Sequence, residues 1–481
     1  MRVKKYLILV FIIALIFVWG CAVNPVTGKK ELMLISESQE IAMGKSVDNS
    51  VRSEYGIYED RKLNLYINTV GQRLVQHVHR KDLKYHFSIL DSEVVNAFAA
   101  PGGYIYITRG LLAILNSECE LATVLGHELG HVNARHSAKA MSRALLFNAG
   151  ILVAAGLSKK VRDAAPLISI GTQLLFLKYS RDNEYQADSL GIEYARRAGY
   201  NPEGIVKFFN SLENLPKEAG GPHLPNFLST HPLTKKRIER AVSLLQSEDK
   251  KLEVRRPFYL KRINKIVYGK DPRQGFVENG RFCHPNMRFY FKIPPGWSVY
   301  NTPTQVKMVS KDKNSVIILF AEKTTKQLPT YAETVYKKFS NTELLRYGEA
   351  NVNGFPAYYI DFMIYNKQSS GAENRVRAFI DTVRKGDYVY TFLVAATPES
   401  YERRKRAIFY SLNSFATLNN PYCLSRRPFR VYVRKVKRNV SLQTFLVSNA
   451  ISKKFWKKIT IINNLHLNER VKTGDYIKII R

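Results

Sequence analysis

The chain has 481 residues, with 74 Lys and Arg against 40 Asp and Glu, a formal net charge of +34; such a length predicts about three domains. The charge is uneven, with +3 on residues 1–20, +4 on 21–250 and +27 on 251–481. The basic half points either to an acidic partner surface or to a basic proteome background, and the lack of an interleaved aromatic and basic recognition motif argues against nucleic acid.

Arg2, Lys4 and Lys5 precede a 14-residue apolar run, Tyr6 to Trp19, too short for an ordinary transmembrane helix. Residues 1–20 are expected to be a signal peptide, with an uncleaved anchor as the alternative. Val18-Trp19-Gly20-Cys21 resembles a bacterial lipobox, which implies cleavage before Cys21 and lipidation of that cysteine. Ala22 and Val23 carry no acidic retention signal, so the resemblance also implies the periplasmic, inner leaflet of the outer membrane. For a secreted chain the acidic surface is expected to be anionic lipid, lipopolysaccharide or cell-wall polymer.

His77, His79 and His86 lie in a polar stretch and read as surface or structural residues. After Gly102-Gly103, the strict alternation of Tyr104-Ile105-Tyr106-Ile107-Thr108 reads as a half-exposed strand to which an extended peptide adds, or else as a buried sheet strand. Gly103, Tyr104, Ile105 and Tyr106 are therefore candidate substrate-binding residues. Ser117-Glu118-Cys119-Glu120 is a capping box opening a helix. That helix carries His127-Glu128-Leu129-Gly130-His131, whose histidines, four residues apart, share a face and can hold one zinc ion with Glu128 beside it as base. Zinc with three protein ligands keeps a water whose pKa falls to roughly 7. Ala134 and Ser137 exclude a third histidine from an extended motif, and His136, about 140° round the helix from His131, reads as a packing or supporting residue.

Ala144 to Leu157 and Ala165 to Leu177 are too short to span a bilayer upright and read as a buried helical hairpin, with membrane insertion as the alternative. Ser180 caps a further helix that ends in Arg196, Arg197, Gly199 and Pro202. On it Glu184 can ligate zinc while Asp188, one turn on, accepts the free N–H of a ligand histidine; an ordinary acidic helix face is the alternative. Lys235 to Leu245 predicts a basic amphipathic helix. Strands are predicted at Phe289–Ile293, Val316–Phe320 and Tyr358–Ile364, a hairpin at Val383–Val394 around Lys385-Gly386-Asp387, and helices at Tyr331–Phe339 and Glu399–Asn413. Residues 429–481 read strand, helix, helix, strand. Cys283 and Cys423 bracket the middle domain, where an oxidising compartment could join them; Cys119 reads as a buried thiol.

The runs Asn96 to Leu112, His127 to Ser137, Glu184 to Asp188 and Ser229-Thr230-His231-Pro232 together resemble the gluzincin family of the CAAX prenyl proteases, and within it a soluble bacterial lipoprotein branch. The resemblance covers roughly residues 21–245. It implies His127, His131 and Glu184 as ligands of one Zn2+ per chain, Glu128 as general base and acid, and His231 either stabilising the oxyanion or occupying the water's position. The Phe291-Lys292-Ile293-Pro294-Pro295-Gly296-Trp297 opening of the middle domain resembles PsbP-like folds. The tail resembles a LysM-like glycan-binding module, although Arg438-Asn439-Val440 stands where that family has Gly-Asp.

The expected fold is α+β and multidomain: a signal peptide at 1–20, a mainly helical zincin-like peptidase domain with a small edge-strand sheet at 21–250, a linker at 251–282, an α+β accessory domain at 283–423, and a LysM-like module at 424–481. The expected function is a zinc-dependent endopeptidase hydrolysing misfolded or stalled envelope proteins, anchored to the membrane by lipid, with an anionic envelope polymer or peptidoglycan as a further partner. The alternative is a non-enzymatic periplasmic chaperone or assembly scaffold whose zinc is latched or structural.

Overall fold

The structure, a computed structural model, describes residues 21–144, 179–215, 227–367 and 373–481. The expected signal peptide lies outside the described residues, as does the expected apolar hairpin beyond Ala144. Among the described residues no helix is long and apolar enough to cross a membrane. The chain forms two compact units, residues 1–269 with 429–481, and residues 270–428.

In the first unit, helices α1 (Glu37–Tyr55) and α2 (Arg61–Val75) precede a three-stranded sheet of β1 (His86–Leu90), β2 (Ala97–Ala100) and β3 (Tyr104–Thr108). Helices α3 (Glu118–Asn133), α4 (Arg181–Arg197) and α5 (Lys235–Ser243) follow. The Ser117 cap predicted for α3 is present, its hydroxyl accepting from the Glu120 N–H, but the reciprocal bond of a capping box is replaced: the Glu120 carboxylate accepts from the N–H of Asn116, one residue before the cap, at 2.9 Å. Every residue of α3 is buried, because this helix is the axis around which the unit packs.

The sheet order is β1-β3-β2, with β3 parallel to β1 and antiparallel to β2. This corrects the expectation that Gly103, Tyr104, Ile105 and Tyr106 form an open edge. β3 is central, its main chain is paired on both sides, and Ile105 and Tyr106 are buried. The tyrosines mimicked an exposed face for two reasons: the buried Tyr106 hydroxyl donates to Asp48 Oδ1 at 2.6 Å, and Tyr104, at the start of the strand, is half-buried and stacks on the exposed His86. Gly103 serves the turn; its φ is +90°, and a Cβ there would lie 2.3 Å from the Lys84 carbonyl oxygen.

The segment expected to be a linker holds the helix Arg256–Arg262 and the strand Val267–Tyr268, both in the first unit. The tail expected to be a separate module shares that unit as well. Its strands Phe429–Lys435 and Tyr476–Ile480 pair with each other, and the former pairs with Val267–Tyr268. Val431, Leu446, Ile459, Ile477, Ile479 and Ile480 lie in the same apolar core as Leu121 and Leu125 of α3. The buried ammonium of Lys478 donates to the carbonyls of Ala113, Ile114 and Leu115 at 2.8, 3.0 and 2.9 Å.

Removing residues 429–481 is therefore expected to abolish the cooperative melting of the first unit. Six apolar side chains at about 1.5–3 kcal/mol each match the whole stability margin of about 5–15 kcal/mol. Calorimetry of the truncated chain checks this, and a truncated protein that melts like the full one would restore the separable module.

The second unit holds a smaller four-stranded antiparallel sheet that includes Phe289–Lys292 and a seven-stranded antiparallel sheet, running in the order Ser298–Asn301, Gln305–Val309, Ser315–Lys323, Tyr388–Ala396, Glu373–Lys385, Phe355–Lys367 and Thr342–Val352. Ala378 and Ile380 pack with helix Leu328–Tyr336, while Phe379 and Val383 pack with helix Pro398–Leu412, so the two helices cover opposite faces. Sequence reading missed the edge strand Thr342–Val352, whose Leu344, Leu345 and Tyr347 are exposed and break the alternation. The Cys283 and Cys423 thiols are buried and stand 3.5 Å apart.

Candidate metal centre

The centre begins with a close crossing of α3 and α4. A Cβ on Gly191 would lie 2.8 Å from the His127 nitrogen, and one on Gly130 would lie 3.1 Å from the Ala187 Cα. Only small residues at these crossings let Glu184 and Asp188 reach the two histidines. The third contribution comes from the short helical turn Phe227–Thr230. Its Phe227 N–H donates to the Val95 carbonyl at 2.9 Å and its Phe227 carbonyl accepts from the His231 N–H at 2.8 Å, while the Phe227 ring stacks on the His231 imidazole.

His127, His131, Glu184 and His231 each offer one ligand atom, and these atoms lie within 4.8 Å of one another, all buried. His131 Nε2 is 3.0 Å from His127 Nε2. His231 Nδ1 is 3.3 Å from His127 Nε2 and 3.0 Å from Glu184 Oε1. Burial, with the neighbouring His127, His136 and His231, holds the His131 imidazole well below its ordinary pKa, in its neutral ligating form. Burial opposes the Glu184 charge, but His231, His127 and Arg237 outweigh it and keep that carboxyl below the usual range. Imidazole nitrogens and a carboxylate oxygen are the donors that zinc takes, and their mutual distances suit one ion.

Around these donors stand supporting groups. Asp188 Oδ1 is 2.9 Å from His127 Nδ1, as expected from the sequence. Glu128 is fully buried. Burial raises its pKa against the pull of His231 and His127; the Ala99 N–H of β2 faces it, and His231 Nε2 lies 3.8 Å away. The Tyr179 ring stacks on His131 with centroids 4.0 Å apart. Gly103, Tyr104, Ile105 and Tyr106 are not part of the centre; the strand that meets α3 and ends the sheet on this side is β2.

Sequence reading missed Arg237. Its guanidinium clamps Asp188 through Nε and Nη2 at 2.8 and 2.7 Å and pairs with Glu184 Oε2 through Nη1 at 2.8 Å, all in the buried interior. Nothing in Lys235-Lys236-Arg237 distinguishes the buried cation from its exposed neighbours, because its partners lie on another helix about fifty residues upstream. Arg237→Met is expected to cost about 3–5 kcal/mol, the penalty of stranding buried carboxylates, and to lower zinc affinity. Denaturant titration and chelator competition measure both, and unchanged values would reduce Arg237 to a bystander.

The sequence model of peptidase family M48 matches residues 61–245, which spans all four candidate donors. The chain is 32% identical over 225 residues to the "Beta-barrel assembly-enhancing protease" of Yersinia pestis, covering 45% of this chain and 46% of that protein. It is 31% identical over 225 residues to the protein of that name in Escherichia coli K12, with the same coverages. The chain thus spans about half the length of these curated relatives. Cyanobacterial PsbP (CyanoP) from Synechocystis sp. PCC 6803 aligns over 30% of the chain and 96% of that structure at 12% identity, with a TM-score of 0.25. The "Mitochondrial metalloendopeptidase OMA1" of Schizosaccharomyces pombe is 30% identical over 237 residues, 48% of this chain and 68% of that protein. With that relative covered over more than two thirds of its length at 30% identity, and the family model matched across the helices that build the centre, the chain belongs to peptidase family M48.

Proposed function

We propose that the chain is a zinc-dependent endopeptidase of the bacterial cell envelope, acting on misfolded or stalled envelope proteins. The observation that carries this reading is the buried Glu128 carboxylate beside four convergent donor atoms. Zinc bound by His127, His131 and Glu184 supplies a Lewis acid and lowers the pKa of a water. Glu128 then holds the proton taken from the attacking water and returns it to the departing amine; its raised pKa suits a group that must both accept and release a proton near neutrality. Asp188 keeps the proton of His127 on Nδ1, leaving Nε2 free to ligate, and Arg237 holds Asp188 and Glu184 in place.

For the substrate, the edge strand β2 replaces β3. Among the described residues Ala97–Ala100 pair only with β3, and they lie against α3, so an extended peptide adding to the outer edge of β2 passes Glu128. Main-chain pairing tolerates many side chains, as a protease for unfolded chains requires. His231 shares the donor cluster, so we read it as a latch occupying the position that a substrate or water needs. Lipidation at Cys21, residence at the inner leaflet of the outer membrane, and docking of the basic tail on anionic polymer or peptidoglycan belong to the same proposal.

The alternative of a non-enzymatic chaperone or assembly scaffold draws on one observation, that four donors close around the centre as in structural zinc sites; a base such as Glu128 has no use there. Zinc analysis together with cleavage of an unfolded protein by the lipid-free chain separates the two. One zinc per chain with cleavage that a chelator abolishes is expected. Bound zinc without cleavage, in the wild type and in a latch-free His231→Ala chain alike, would leave the scaffold.

A further inference from the structure

His127 and His131 are supported differently. His127 Nδ1 faces the Asp188 carboxylate, a pure acceptor, so its proton has one possible place. His131 turns Nε2 toward the other donors and presents Nδ1 to His136 Nδ1 at 2.9 Å. The other ring nitrogen of His136, Nε2, is 3.0 Å from Gln186 Oε1. Both histidines are buried, and Gln186 lies on α4 between Glu184 and Asp188.

Two neutral imidazoles meeting through Nδ1 share one proton, one ring donating and the other accepting. For His131 to offer the Nε2 lone pair to a metal, its Nδ1–H must donate to His136. His136 then carries its proton on Nε2 and donates it to the Gln186 carbonyl. If the Gln186 amide turns over, its NH2 donates to His136 Nε2, His136 Nδ1–H donates to His131, and the His131 proton moves to Nε2, where it blocks ligation. No other arrangement of the three neutral groups satisfies both contacts.

We propose that His136 and Gln186 are positioning residues that set the tautomer of His131, so that the Gln186 amide orientation and metal loading are one two-state element. This rests on the zinc reading of the centre. The site then has one ligand whose tautomer is locked by a carboxylate and one whose tautomer is reversible, and metal exchange proceeds through the second.

The test is zinc affinity of the full chain by chelator competition, with thermal melting as a control for folding. His136→Leu, which cannot accept from His131, is expected to bind zinc about 10–100-fold more weakly. His136→Asn, whose side-chain oxygen can take the place of Nδ1, is expected to recover most of that loss. Gln186→Met should weaken binding, whereas Gln186→Glu, which can only accept, should not. Affinity unchanged in His136→Leu, or lost equally in His136→Leu and His136→Asn, overturns the proposal; if His136→Leu does not fold, the contrast between the two Gln186 variants decides in the same way. A wild-type chain that binds no zinc would instead refute the reading of the centre itself.

Discussion

Glu128→Gln is expected to retain one zinc per chain and to lose hydrolysis of an unfolded protein by about 10²–10⁴-fold, the usual worth of a positioned acid or base. The substitution is nearly isosteric, and Glu128 is not one of the four donors, so the metal should remain. What disappears is the proton acceptor. Glutamine at this buried position offers no carboxylate to take the proton. Metal analysis beside a cleavage assay decides: cleavage near the wild-type rate with zinc bound would remove Glu128 from the reaction, and loss of zinc would move it among the ligands.

His231→Ala is expected to raise cleavage, by roughly tenfold or more if the latch leaves under a tenth of molecules open. The sign follows from position: His231 Nδ1 stands 3.0 Å from Glu184 Oε1 and 3.3 Å from His127 Nε2, within the donor cluster and not beside it. Removing the imbalance of a fourth donor frees that position while His127, His131 and Glu184 remain. A rate reduced by about 10–10³-fold, the cost of losing one oxyanion donor, would assign His231 the opposite role. Rates equal to wild type with zinc intact would leave only a loop histidine, stacked on Phe227.

Local spacing carried much of the centre. The pairing of His127 with His131, the Ser117 and Ser180 caps, and the one-turn relation of Glu184 to Asp188 all follow from 3.6 residues per turn and from which side chains cap a helix. The hairpin around Gly386, whose φ is +60°, and the helices at Leu328–Tyr336 and Pro398–Leu412 were legible for the same reason. In each case the determining interactions join residues within a few positions of one another.

Contacts between distant segments were decided by packing. Whether Tyr104 to Thr108 lies at an edge or in the middle depends on which strands flank it, and alternating tyrosines look half-exposed when their hydroxyls find partners indoors, as Tyr106 does on Asp48. Arg237 is indistinguishable in sequence from a surface residue until α4 brings Asp188 to it, and His136, legible only as a packing or supporting residue, acquires its partner when the same helix brings Gln186. The tail shows the same limit: its strand-helix-helix-strand pattern is local, but its burial with α3 in one core depends on apolar faces more than three hundred residues apart in the chain. The sequence by itself determined the donor types and their helical spacing, because those are covalent and local. Only the tertiary structure decided which strand ends the sheet, which cation is buried and where the compact units end, because burial is a property of the whole packed unit.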